Sequence, residues 1–86
     1  MEYILSRKFE KQFAQLPKRI KVKAIRAFEV FLRDPSDPNL RAHMLAGKWR
    51  GYWSIDVTGD YRAVYTYADE RVVRFVAIGT HGQLYG

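Results

Sequence analysis

The chain has 86 residues, of which 48% are hydrophobic and 15% aromatic, and it carries a net charge of +6. That apolar content suits one small two-layer core rather than a disordered tail. Cysteine is absent, which excludes a disulfide framework, a thiolate zinc site and a cysteine nucleophile.

The first segment, EYILS (2–6), reads as a short strand, and Ser6 is placed to cap a helix. In RKFEKQFAQL, Phe9, Phe13 and Leu16 recur at helical spacing until Pro17 ends the run and opens another. The second helix carries Ile20, Ala24, Ile25, Phe28, Phe31 and Leu32 on one stripe, with Lys18, Lys21, Lys23, Arg26 and Arg33 largely off it. DPSDPNL (34–40) stops it with two prolines. The period then changes. YWSIDV (52–57), YRAVYTY (61–67) and VVRFVAIG (72–79) are rich in aromatic and β-branched residues, and TGD and ADER read as the turns between them. The expected fold is α+β: a single domain over residues 1–86, two layers in the order β-α-α-β-β-β, with a helical hairpin packed on an antiparallel sheet.

Register decides which side chains share a face, because a one-residue slip flips all of them. A three-residue Thr-Gly-Asp loop, a type that commonly places glycine in the left-handed region, sets Tyr61, Ala63 and Tyr65 beside Trp53, Ile55 and Val57. Ser54, Asp56, Arg62 and Thr66 then share the other face, which the helices leave bare.

No run reaches the ~18 apolar residues that span a bilayer, and polar Ser6 interrupts the opening MEYILSRKF too early for a secretion signal. A soluble, cytoplasmic protein without a membrane partner is expected. The positive charge by itself calls for an acidic partner, whether nucleic acid, an acidic protein or an anionic membrane surface. Two histidines and nine carboxylates show no metal-ligand spacing, so neither metal nor cofactor is expected.

Candidate chemistry lies in three places. His81, just after the last strand and flanked by Gly79 and Gly82, is either a solvated or backbone-bonded histidine or a proton carrier near neutral pH, and Tyr85 follows at i+4, alongside it on a helical turn. Arg62 is either a cross-strand partner of Asp56 or a fixed, always-charged phosphate clamp. HMLAGKWRGYW (43–53) interleaves His43, Lys48 and Arg50 with Trp49, Tyr52 and Trp53, a pattern that holds single-stranded nucleic acid by phosphate contacts and base stacking. Tryptophans at the start of a sheet also serve as core, and at least one of the two is expected to be buried. Arg, His and Tyr in a basic domain fit RNA cleavage, in which the ribose 2′-OH attacks the adjacent phosphate. A generic basic binding domain fits the same residues.

Three motifs, L-x-G-x-W-x-G (45–51), D-Y-R-x-x-Y (60–65) and the ending G-T-H-x-x-L-Y (79–85), together with the order of elements, resemble the RelE/ParE superfamily of toxins from toxin–antitoxin modules. The ending most resembles its YafQ branch. The resemblance implies a metal-independent endoribonuclease that cuts mRNA in the ribosome and is neutralised by an antitoxin; the antitoxin has an acidic, partly disordered segment and is the component through which the complex would bind operator DNA. It assigns Arg62 to the scissile phosphate, His81 to general acid or base catalysis and Tyr85 to substrate stacking. His43 and Asp60 match further active-site positions, and Lys48, Arg50 and Trp49 are RNA-binding by position. Asp56 stands where YafQ-like relatives can carry a histidine. The alternatives are a ParE-like poison of DNA gyrase that acts by binding alone, and a decayed toxin that only binds its antitoxin.

Overall fold

The computed structural model describes residues 1–85. Strand β1 (Glu2–Leu5) leads into helix α1 (Arg7–Ala14) and helix α2 (Lys18–Arg33), followed by a 3₁₀ turn at Pro38–Leu40. A two-residue strand, β2 (His43–Met44), and a second 3₁₀ turn (Gly47–Trp49) precede β3 (Trp53–Asp56), β4 (Tyr61–Asp69), β5 (Val72–Thr80) and a short helix, α3 (His81–Tyr85).

The five strands form one sheet in the order β1-β5-β4-β3-β2. The meander is antiparallel, but β1 runs parallel to β5, from Glu2 opposite Val72 to Leu5 opposite Phe75. A tight turn cannot join parallel neighbours; here the helices and the meander separate the two strands in the chain. The expected antiparallel sheet is therefore mixed at one edge, and β2 adds a strand at the other that the hydrophobic pattern did not show, being two residues long and exposed.

Beyond Phe75 the edge of β5 has no strand partner, and α1 supplies one. Ser6 accepts from the Phe9 N–H at 3.0 Å as the helix cap, while its hydroxyl donates to the Val76 carbonyl at 3.2 Å. Gln12 Oε1 accepts the Ile78 N–H at 2.9 Å. These side chains satisfy backbone groups that would otherwise be unpaired on a partly buried edge.

The core lies between the helical hairpin and one sheet face, with Phe9, Leu16, Ile20, Ala24, Ala27, Phe31, Ile55, Ala63, Tyr65, Val73, Phe75 and Ile78 buried. Phe31 meets Tyr65 edge-on at 4.8 Å and Phe75 at 5.4 Å between ring centres. The buried stripe of α2 is Ile20, Ala24, Ala27 and Phe31; Ile25 is 51% exposed, and Phe28 and Leu32 are half-buried on its flank. These last three line an open apolar groove shared with α1 and β1, so that flank of the stripe is only partly covered. Both tryptophans are half-buried rather than one being core, because each lies at a margin, Trp53 packed against the core and Trp49 on the far side of the sheet.

The β3–β4 register is the three-residue-loop one: Trp53 opposite Tyr65, Ile55 opposite Ala63 and Asp56 opposite Arg62. Gly59 does not enter the left-handed region. Thr58 closes the loop instead, its Oγ1 accepting the N–H of both Asp60 and Tyr61 at 3.1 Å. The second sheet face is not bare. Ser54, Val64 and Ala77 form a cross-strand row on it, each fully buried, and α3 folds back against β5 there. No helix is long and apolar enough to cross a membrane among the described residues.

Candidate active site

The cleft on that second face has a volume of about 690 Å³ and is bounded by β3, β4, the 41–49 segment and α3. Its charged and polar lining is Arg41, His43, Lys48, Asp56, Arg62, His81 and Tyr85. Three cations face one carboxylate, so the cleft attracts anions whatever the state of the imidazoles.

Arg62 stands opposite Asp56 in the ladder, and its Nε lies 3.0 Å from Asp56 Oδ1. Its Nη1 donates to the carbonyls of Thr58 and Gly59 at 3.0 Å and of Tyr61 at 3.3 Å. The hairpin loop thus fixes the guanidinium, whose side chain is only 20% exposed. A cation held this way does not need to reorganise when charge develops on a bound phosphate.

His43 sits on β2, two residues after Arg41. Its Nδ1 lies 2.9 Å from the Arg41 carbonyl oxygen. A carbonyl only accepts, so Nδ1 is the donor in this contact, which leaves Nε2 as the ring nitrogen available to act as a base. Arg41 adopts φ of 51°, the left-handed region, at the end of the 3₁₀ turn.

His81 and Tyr85 depend on α3, which five residues cannot stabilise alone. Thr80 and Gln83 form a reciprocal capping box: Thr80 Oγ1 accepts the Gln83 N–H at 3.1 Å, and Gln83 Oε1 accepts the Thr80 N–H at 2.8 Å. A Cβ at Gly79 would stand 2.8 Å from Gln83 Oε1, so the returning side chain requires glycine there. The His81 N–H donates to the Asp60 carbonyl at 3.1 Å and ties the helix start to the hairpin loop. At its other end the Tyr85 hydroxyl donates to buried Ser54 Oγ at 3.1 Å, and Trp49 Nε1 donates to the Leu84 carbonyl at 3.4 Å. The His81 and Tyr85 rings meet edge-to-face, 4.8 Å between centres.

The structure therefore brings Arg62, His43, His81, Tyr85, Lys48 and Trp49 to one cleft. Asp60 and Arg50 are not in its lining. Asp60 is exposed at the loop tip and meets His81 through its carbonyl alone, while Arg50 ends the second 3₁₀ turn and is also exposed. Arg41 belongs to the cleft and carries no signal in the sequence, since its place follows from a backbone turn. Gly47 and Gly51 take φ of 63° and 91° around Trp49, so the L-x-G-x-W-x-G motif shapes the turn that carries Trp49 to α3. The T-x-x-Q cap was legible at residues 80–83 and is the signal that foretells α3. No group of three His, Cys, Asp or Glu side chains is placed to hold a metal ion among the described residues.

Three cations, of which Arg62 stands on the sheet, two imidazoles and a fixed phenol can bind a phosphodiester, move protons to and from it and stack a base. Residues 3–85 match the family model described as ParE toxin of type II toxin–antitoxin system, parDE. No curated protein matches the sequence significantly. Among solved structures, YafQ from E. coli strain BL21(DE3) is similar at 25% identity and a TM-score of 0.83, over 99% of this chain and 98% of that one. YafQ in the E. coli DinJ–YafQ toxin–antitoxin complex is similar at 26% identity and a TM-score of 0.78, over 99% and 97%. A YoeB/ParE toxin from Agrobacterium tumefaciens shares the fold at 19% identity and a TM-score of 0.77, over 94% and 99%.

Proposed function

The chain belongs to the ParE toxin family of type II toxin–antitoxin systems, and from that premise we propose that it is an endoribonuclease that cuts mRNA on the ribosome. The observation that carries this reading is the convergence of Arg62, His43, His81 and Tyr85 on one positively charged cleft. His43 Nε2, left free by the Nδ1 bond to the Arg41 carbonyl, takes the proton of the ribose 2′-OH. The O2′–P bond forms as the P–O5′ bond breaks, and His81 delivers a proton to O5′. Arg62 bears the charge that builds on the non-bridging oxygens, and Tyr85 stacks a neighbouring base. The chemistry uses only these side chains; the products are a 2′,3′-cyclic phosphate and a 5′-OH end.

The partner is an antitoxin, as in the DinJ–YafQ complex of the E. coli relative. An acidic segment complements the +6 charge, and an apolar groove of Tyr3, Leu5, Phe9, Phe13, Ile25 and Phe28 beside the free edge of β1 accepts its apolar side chains. A second reading, gyrase poisoning without catalysis, is favoured by the family model's ParE description.

Induction of the chain alone in a bacterial host, with primer extension on a reporter mRNA, separates the two. New 5′ ends within translated codons, absent when initiation is blocked and absent in folded His81→Ala and Arg62→Ala variants, support the ribosome-dependent RNase. Growth arrest with intact mRNA and broken DNA overturns it in favour of gyrase.

A further inference from the structure

The cleft holds one carboxylate, and two guanidinium groups meet on it. Arg62 Nε lies 3.0 Å from Asp56 Oδ1, and Arg41 Nε lies 3.6 Å from Asp56 Oδ2. The arginines approach from different elements, Arg62 from β4 and Arg41 from the end of the 3₁₀ turn after α2. They are held very differently. Loop carbonyls fix Arg62, whereas the Arg41 side chain is 77% exposed and has Asp56 as its one ionic partner among the described residues.

A pair this open contributes little to folding. Yet the backbone beneath Arg41 holds a left-handed conformation that residues with side chains seldom adopt. That turn sets the Arg41 guanidinium over Asp56 and also places the Arg41 carbonyl under His43 Nδ1. One strained residue thereby orients a base and a cation towards the same space.

We propose that Arg41 and Arg62 form a two-arginine seat for one backbone phosphate of the RNA, with Asp56 as the internal counter-anion from which the incoming phosphate takes Arg41. This rests on the RNA reading above. Arg41, once released from Asp56, can grip phosphate oxygens through two donors of its planar fork, while Arg62, whose Nε and Nη1 are engaged by Asp56 and the loop carbonyls, offers Nη2. Arg62 is fixed and supplies position. Arg41 is exposed and closes over the phosphate once it is bound. While the cleft is empty, Asp56 keeps the two like charges together.

The test uses the full chain and a single-stranded RNA oligonucleotide made uncleavable by 2′-O-methyl substitution at every position. Its binding is followed by fluorescence anisotropy across a salt series. Arg41→Asn is the informative variant, because asparagine tolerates the left-handed backbone and so preserves the turn under His43. Removing one phosphate contact to a single strand lowers the slope of log affinity against log salt by about 0.7, or about fivefold weaker binding at ~0.1 M salt. Arg33→Gln, at the end of α2 and outside the cleft, should leave slope and affinity unchanged. Parent-like binding by Arg41→Asn, or an equal loss in Arg33→Gln, overturns the seat. If the parent shows no salt-dependent RNA binding, the RNA reading falls, and inorganic pyrophosphate becomes the probe of the seat. A shift of the Arg62 Nε–H NMR signal that Arg41→Asn abolishes then upholds the seat, and the absence of any shift overturns it.

Discussion

Gly79→Ala isolates the device that holds α3, and hence His81 and Tyr85, in place. The new Cβ would lie 2.8 Å from Gln83 Oε1 but 3.5 Å from Gln83 Cβ. Only the oxygen is too close, and it sits at the end of a flexible side chain, so Gln83 swings away. The cost is then the lost bond to the Thr80 N–H, now 2.8 Å long, worth about 1 kcal/mol. Against this, replacing glycine by alanine at an ordinary φ gains about 0.4–1 kcal/mol by restricting the unfolded chain. Gly79 has such a φ. The single variant is therefore close to neutral or slightly destabilising. In a Gln83→Ala background the oxygen is gone, and the same substitution should stabilise by about 0.5 kcal/mol. The double-mutant cycle thus predicts a coupling of about 1 kcal/mol between positions 79 and 83. Urea unfolding of the four proteins measures it, and RNA cleavage should fall alike in both single variants because each loosens α3. A coupling near zero, or full activity in Gly79→Ala with the cap visibly broken in the Thr80 amide signal, would refute the role assigned to the cap.

Two further outcomes follow from buried groups. Tyr85→Phe leaves the fully buried Ser54 hydroxyl without its 3.1 Å donor, which should cost about 1–3 kcal/mol, and adding Ser54→Ala should recover most of it in thermal unfolding; unchanged stability in the single variant would show that the bond is not formed in solution. Burial first, and the neighbouring Tyr67 second, push the Tyr65 phenol above its ordinary value. Above pH ~10 the unfolded chain releases this proton and the folded chain keeps it, so stability should fall with rising pH by up to about 1.4 kcal/mol per unit, a decline that Tyr65→Phe should flatten in urea titrations at pH 9 to 11.

Local rules carry far in this chain. Ser6 caps α1 because a hydroxyl before a helix has an N–H to accept, and Asp56 faces Arg62 because a three-residue loop leaves only that pairing with the apolar residues on one side. His81 and Tyr85 adjoin because they are four apart on a helical turn. Each of these depends on neighbours in the chain or across one short loop, and the sequence states those directly. Tertiary structure decided the rest. The parallel seat of β1, the burial of Ser54 beneath Tyr85 and the exposure of Ile25 depend on which distant surfaces are left to cover. Arg41 enters the cleft through a single left-handed turn that no periodicity encodes. Asp60, matched by motif, lies outside the cleft lining because its side chain sits at the exposed tip of the loop that binds His81 through the backbone. Residue type and spacing determine which groups are available for chemistry; which of them share a space follows from long-range packing, where the energy of covering apolar surface outweighs any local preference.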